Sequence, residues 1–181
     1  MRHRIIMAWA AGIALAVAGG VIMAQDDNLP GAQRLTAALR GFDEPPSVSS
    51  TGRGVFTATI SQDGTSIQYK LSYQDLEGDV QQAHIHLGQR GVNGAIAVFL
   101  CSNLGNGPAG TQACPGPRAG EVSGTITAES IIGPAAQGLA PGEFEELLRA
   151  ALRDVTYANV HTVKHPGGEI RGQIGFGFAQ R

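Results

Sequence analysis

The sequence predicts an all-β domain, a Greek-key antiparallel β-sandwich or flattened barrel of about eight strands with one amphipathic crossover helix. Three observations point there. Short segments of alternating apolar and polar residues recur along the chain with turn residues between them. One Asp-Gly pair, Asp63-Gly64, stands between two such segments and marks a hairpin. A single stretch, 143–155, switches to helical spacing. The 26 glycines suit a chain of many turns, where positive φ is needed.

Taken in order, Arg34 to Leu39 is the first strand. Gly54 to Ser61 and Ser66 to Tyr73 flank Asp63-Gly64. In the latter, Ile67, Tyr69, Leu71 and Tyr73 alternate with polar residues, so one face meets the core and the other water. Val80 to Leu87 follows, with Ala83, Ile85 and Leu87 as its core face. Ala95 to Cys101 is apolar on both faces and reads as a central strand. Val122 to Ala128 comes next, and then the helix over 143–155. That helix sets Phe144, Leu147, Leu148, Ala151, Leu152 and Val155 against a charged face. The last strands are Thr156 to Val163 and Glu169 to Phe178, with Glu169, Arg171 and Gln173 sharing one side of the latter.

The N-terminus reads as an export signal. Arg2, His3 and Arg4 precede an apolar run from Ile5 to Val17, with small residues before cleavage after Ala18 or Ala24. The run is interrupted by glycine and too short for a stable membrane anchor. With residues 1–24 as signal peptide, 157 residues remain: a flexible segment, 25–32, and one domain (33–178) large enough to bury its own core. Export predicts a secreted or periplasmic protein. It also predicts a disulfide between Cys101 and Cys114, the only two cysteines. Basic residues are scattered singly and the net charge is −2, which argues against nucleic acid as a partner.

The residues that carry chemistry are histidines. His84 and His86 are two apart on a strand, so their rings point the same way, about 7 Å apart. His161 lies on another predicted strand. If the three meet, they form either a hydrogen-bonded seam or a site for copper or zinc, which neutral imidazoles suit. His165 is a candidate fourth ligand in a turn. Glu169 is a candidate to hold a ring N–H, with Arg171 beside it on the same face. The acidic pairs Asp43-Glu44 and Glu145-Glu146 read as solvated surface charge. No Gly-x-Ser-x-Gly elbow is present, and no residue is assigned a catalytic role.

Several segments in this order resemble the CHRD domain, the module first described in the animal protein chordin. They are Leu39-Arg40-Gly41 with Glu44-Pro45-Pro46, Ala83-His84-Ile85-His86-Leu87-Gly88, Gly91-Val92-Asn93-Gly94, and Tyr157-Ala158-Asn159-Val160-His161-Thr162. The last runs on into Pro166-Gly167-Gly168-Glu169-Ile170-Arg171-Gly172-Gln173-Ile174. The resemblance implies a secreted β module that serves in binding or as a scaffold; together with the histidines, it makes an extracellular or periplasmic protein or a metal ion the expected partner. It implies no catalytic activity. A second, fainter resemblance is to copper–zinc superoxide dismutase. There His84, His86 and His161 would take the copper-ligand places, with Arg171 beside them, implying a copper-dependent redox enzyme as the alternative function. The sequence departs from that pattern in having no histidine between His86 and His161, so the bridging ligand and the zinc loop are missing.

Overall fold

The computed structural model describes residues 33–176. The expected signal peptide, the segment 25–32 and Phe178 lie outside the described residues. Eight strands form: β1 (Arg34–Arg40), β2 (Arg53–Ile60), β3 (Ile67–Gln74), β4 (Val80–Leu87), β5 (Ala95–Ser102), β6 (Gly120–Ile126), β7 (Thr156–Thr162) and β8 (Ile170–Phe176). One α-helix, α1 (Phe144–Ala151), connects β6 to β7.

All eight strands belong to one antiparallel sheet in the order β5-β4-β7-β8-β1-β2-β3-β6. The sheet curls into a nearly closed barrel, with edges β5 and β6 brought together. The Tyr69 hydroxyl of β3 spans that seam and donates to the Leu100 carbonyl of β5 at 3.0 Å. Of the two predicted architectures, the flattened barrel is the one formed.

Alternation decides what fills the barrel. Leu35, Leu39, Phe56, Ala58, Leu71, Ile85, Val122, Val160, Ile170 and Ile174 form one apolar core. Such burial is the dominant favourable contribution to folding. Helix α1 joins it through Phe144, Leu147 and Ala151, which are buried while Glu145 is exposed. It is shorter than the 143–155 predicted. Asp154, at φ 57°, is left-handed and turns the chain out of the helix toward β7.

β5 is an edge strand, not the central strand its composition predicts. Its edge is shielded rather than paired: Ile132 N donates to Ala97 O, Ala95 N to Gln137 Oε1, and Ser102 N to Gln112 O. Flanking loops thus satisfy its outer edge and bury both of its faces, the protection an apolar edge requires. The loop that supplies Gln112 is closed by the Cys101–Cys114 disulfide.

The β4–β7–β8 sector differs from the rest of the barrel. Every residue of β7 is buried, on both faces of the sheet. One face meets the barrel core. The other lies beneath a cover of loops, and that covered outer face holds the site.

Candidate metal centre

Register assembles the outer layer. β4 places His84 opposite Asn159 and His86 opposite Tyr157 of β7, and Gln82 opposite His161. β8 places Arg171 opposite Asn159 and Gln173 opposite Tyr157. Period-two alternation sends all these side chains outward, while Ala83, Ile85, Ala158, Val160 and Ile170 point into the core. Outward usually means wet. Here His84, His86, Tyr157, Asn159, His161 and Arg171 are each no more than 7% exposed.

Three segments cover the layer, and polar contacts tie each one down. The 88–94 loop is held by Arg171 Nη2, which donates to Gln89 O at 3.1 Å and Val92 O at 2.9 Å. Gln173 Nε2 donates to Gly88 O at 2.9 Å. The 41–48 turn is joined to that loop by Asn93 Nδ2, which donates to Pro45 O at 3.0 Å. The 163–168 turn brings the Pro166 carbonyl to 2.9 Å from His161 Nδ1. From β5, Phe99 sets its ring edge-on to His84, centroids 4.4 Å apart.

The three histidines meet. Each offers a ring nitrogen, and these nitrogens lie within 4.8 Å of one another. His84 Nδ1 is 3.2 Å from His161 Nε2. His86 Nδ1 faces the Gly94 carbonyl at 2.9 Å. A carbonyl can only accept, so His86 and His161 each carry their proton on Nδ1 and present a bare Nε2 lone pair. This is the arrangement seen behind metal-bound imidazoles, where a carbonyl fixes tautomer and ring orientation. His84 Nε2 and His86 Nε2 have no hydrogen-bond partner.

Burial sets the charge state. It pushes His84 down to about 2, with the other two rings adding to the effect. It pushes His86 down to about 4, against a partial offset from the Gly94 carbonyl. His161 is lowered for the same reason, with the Pro166 carbonyl opposing. All three are uncharged at pH 7, the form that donates an electron pair to a metal.

Other sequence-predicted residues stand elsewhere. Arg171 does not reach the histidines; its guanidinium carbon sits 3.3 Å above the Tyr157 ring centroid. His86 also stacks on that ring, at 4.7 Å, so Tyr157 links the cation to the histidine. Glu169 holds no ring N–H. Its carboxylate accepts from Ser50 Oγ at 2.6 Å, Thr162 Oγ1 at 2.7 Å, and the amides of Glu77 and Gly78 at 2.7 and 3.3 Å. Glu169, just before β8, fastens loops instead. Burial opposes its ionisation, yet these donors hold its carboxyl below the usual range. His165 faces Glu77, with Nε2 3.9 Å from Oε2, and is outside the histidine group.

Two residues of the layer escaped the sequence reading. Glu44, expected at a solvated surface, is buried in the 41–48 turn. Burial raises its pKa to about 7, with Arg171 pulling the other way. Its carboxylate fits because Gly168 lacks a side chain: a Cβ there would lie 2.3 Å from Oε1. Asn159 sits between Tyr157 and His161 on the same strand face, a position strict alternation makes visible.

The sequence profile of the CHRD domain matches residues 35–174. The chain belongs to the CHRD domain family. The match spans the whole barrel from β1 to β8, so the covered histidine layer is part of the CHRD domain itself. No curated protein and no solved structure matches the chain. The superoxide dismutase likeness finds no support in these comparisons, and the arginine it set beside the metal is engaged by Tyr157 and the 88–94 loop.

Proposed function

We propose that this CHRD domain is an exported binding module that holds one transition-metal ion, copper or zinc, on His84, His86 and His161. The observation that carries the reading is the convergence of three uncharged, buried imidazoles, two of them held through Nδ1 by the Gly94 and Pro166 carbonyls. A purely structural seam would satisfy both nitrogens of each ring, whereas His84 Nε2 and His86 Nε2 have no partner. The Cys101–Cys114 bridge suits an oxidising compartment, in keeping with the leader read at 1–24. The set contains no thiolate or thioether, which favours the divalent ions over Cu(I).

The test is a Cu(II) and Zn(II) titration of tag-free mature protein beside the His84→Ala/His86→Ala variant. The reading expects one tightly held ion per chain, absent from the variant. A native protein that takes up neither ion, with a variant that only loses stability, would leave the histidines as a structural seam.

A further inference from the structure

Asn159 is buried and directs its side chain into the histidine group. Its Oδ1 lies 3.2 Å from His161 Nε2, the same separation as between His84 Nδ1 and that nitrogen. As a hydrogen bond the Asn159 contact fails. His161 carries its proton on Nδ1, facing Pro166 O, so Nε2 presents a lone pair, and an amide oxygen has only lone pairs to offer. It is the amide oxygen, not the NH2 end, that faces His161 Nε2.

Acceptors gather in this way around a cation. Ligands roughly 2.0–2.1 Å from one tetrahedral ion stand about 3.3 Å from each other. The two separations of 3.2 Å at His161 Nε2 match the edge of such a tetrahedron with His84 presenting Nδ1; the three ring nitrogens span up to 4.8 Å and would draw together on binding.

We propose that Asn159 Oδ1 is the fourth ligand, completing a set of three imidazole nitrogens and one amide oxygen. This rests on the three-histidine reading above and sharpens it. Glu44 is then a positioning residue. The Asn159 amide favours the charged form of Glu44, and that coupling would bias the amide to keep its oxygen toward the imidazoles. Gly168 leaves the room that carboxyl needs. Four protein ligands under a closed cover make a site that retains its ion, in contrast to catalytic zinc sites, which keep one position for water. The ion it suits is a divalent metal of borderline softness with a liking for nitrogen, such as Zn(II), Co(II) or Cu(II).

The experiment uses Co(II) as a visible probe and Zn(II) in competition, on the native protein and on Asn159→Ala, Asn159→Asp, Glu44→Gln and His86→Ala. The native protein should show the intense absorption of four-coordinate cobalt. Asn159→Ala should lose at least tenfold in Zn(II) affinity, with weakened cobalt bands as water fills the vacated place. Asn159→Asp keeps a ligand oxygen and should match or exceed native affinity. Glu44→Gln should cost about tenfold, the low end for residues that orient a metal ligand.

A native protein that binds, with an Asn159→Ala variant equal in affinity and spectrum, would overturn the role of Asn159 and leave the three-histidine site standing. A native protein that binds neither ion would overturn both. Should Asn159→Ala fail to fold, Asn159→Asp decides, and a tenfold loss of affinity there would contradict the proposal.

Discussion

The two faces of β7 are equally dry and chemically opposite. Inward, Ala158 and Val160 pack with Ala83, Ile85 and Ile170 in the barrel core. Outward, Tyr157, Asn159 and His161 pack with His84, His86 and Arg171 beneath three loop segments. The inner face stabilises the fold through the area it removes from water. The outer face removes imidazoles, an amide and a guanidinium from water, which costs free energy unless each finds a partner. Most find one. Within the histidine group, the nitrogens left over are His84 Nε2 and His86 Nε2.

Three experiments would break or sharpen that contrast. The largest effect on stability should come from the inner face: Phe56→Ala, at a buried core position, should cost about 3–5 kcal/mol in denaturant unfolding. Metal affinity should be unchanged, because nothing in the outer layer is altered. Arg171→Ala acts on the cover. It strips donors from Gln89 O and Val92 O and uncovers the Tyr157 ring, for about 2–3 kcal/mol. Hydrogen exchange should then quicken in the 88–94 loop while the β1–β2–β3 ladder stays protected. Uniform loss of protection in this variant would mean that the two layers fold as one unit.

The third is a pH dependence in which two parts of the outer layer oppose one another. His84 and His86 titrate at about 2 and about 4 in the fold, against 6.5 when unfolded. Between pH 6.5 and 4 the unfolded chain takes up protons that the folded one refuses. Metal-free stability should therefore fall as pH drops through that window, by up to about 1.4 kcal/mol per pH unit for each histidine. Glu44 has the opposite sign. Its folded value of about 7 exceeds the ordinary 4.5, so its burial costs nothing below pH 4.5 and the most above pH 7. Glu44→Gln should gain on the order of 1 kcal/mol at pH 8 and nothing at pH 4. A gain in stability joined to a loss of metal affinity would mark a residue kept for binding rather than folding.

What could be read from the sequence divides along the same line. The strands and the hairpin at Asp63-Gly64 follow from local alternation and turn chemistry, and so does the inward row Ala83, Ile85, Val160 and Ile170. His84 and His86 announce themselves by spacing. Their meeting with His161 needs only that β4 and β7 be neighbours. The cover is another matter. Glu44 reads as surface charge because nothing near it in sequence says that the 41–48 turn folds over β7 and β8. β5 reads as central because its apolar faces are buried by loops that local pattern does not place. Asn159 was within reach, since it shares a face with Tyr157 and His161, but an amide between two aromatic rings carries no signature until its oxygen is seen beside Nε2.

The measurement that tests the central claim most directly is thermal unfolding with and without Zn(II), run in parallel on the native protein, Phe56→Ala and His86→Ala. A ligand held by the folded state alone stabilises it by about 2.7 kcal/mol at a hundredfold excess over its dissociation constant. The account expects that zinc raises the melting temperature of the native protein and of the weaker Phe56→Ala, and leaves His86→Ala where it was. A zinc shift as large in His86→Ala as in the native protein, or no shift in any of the three, would contradict it.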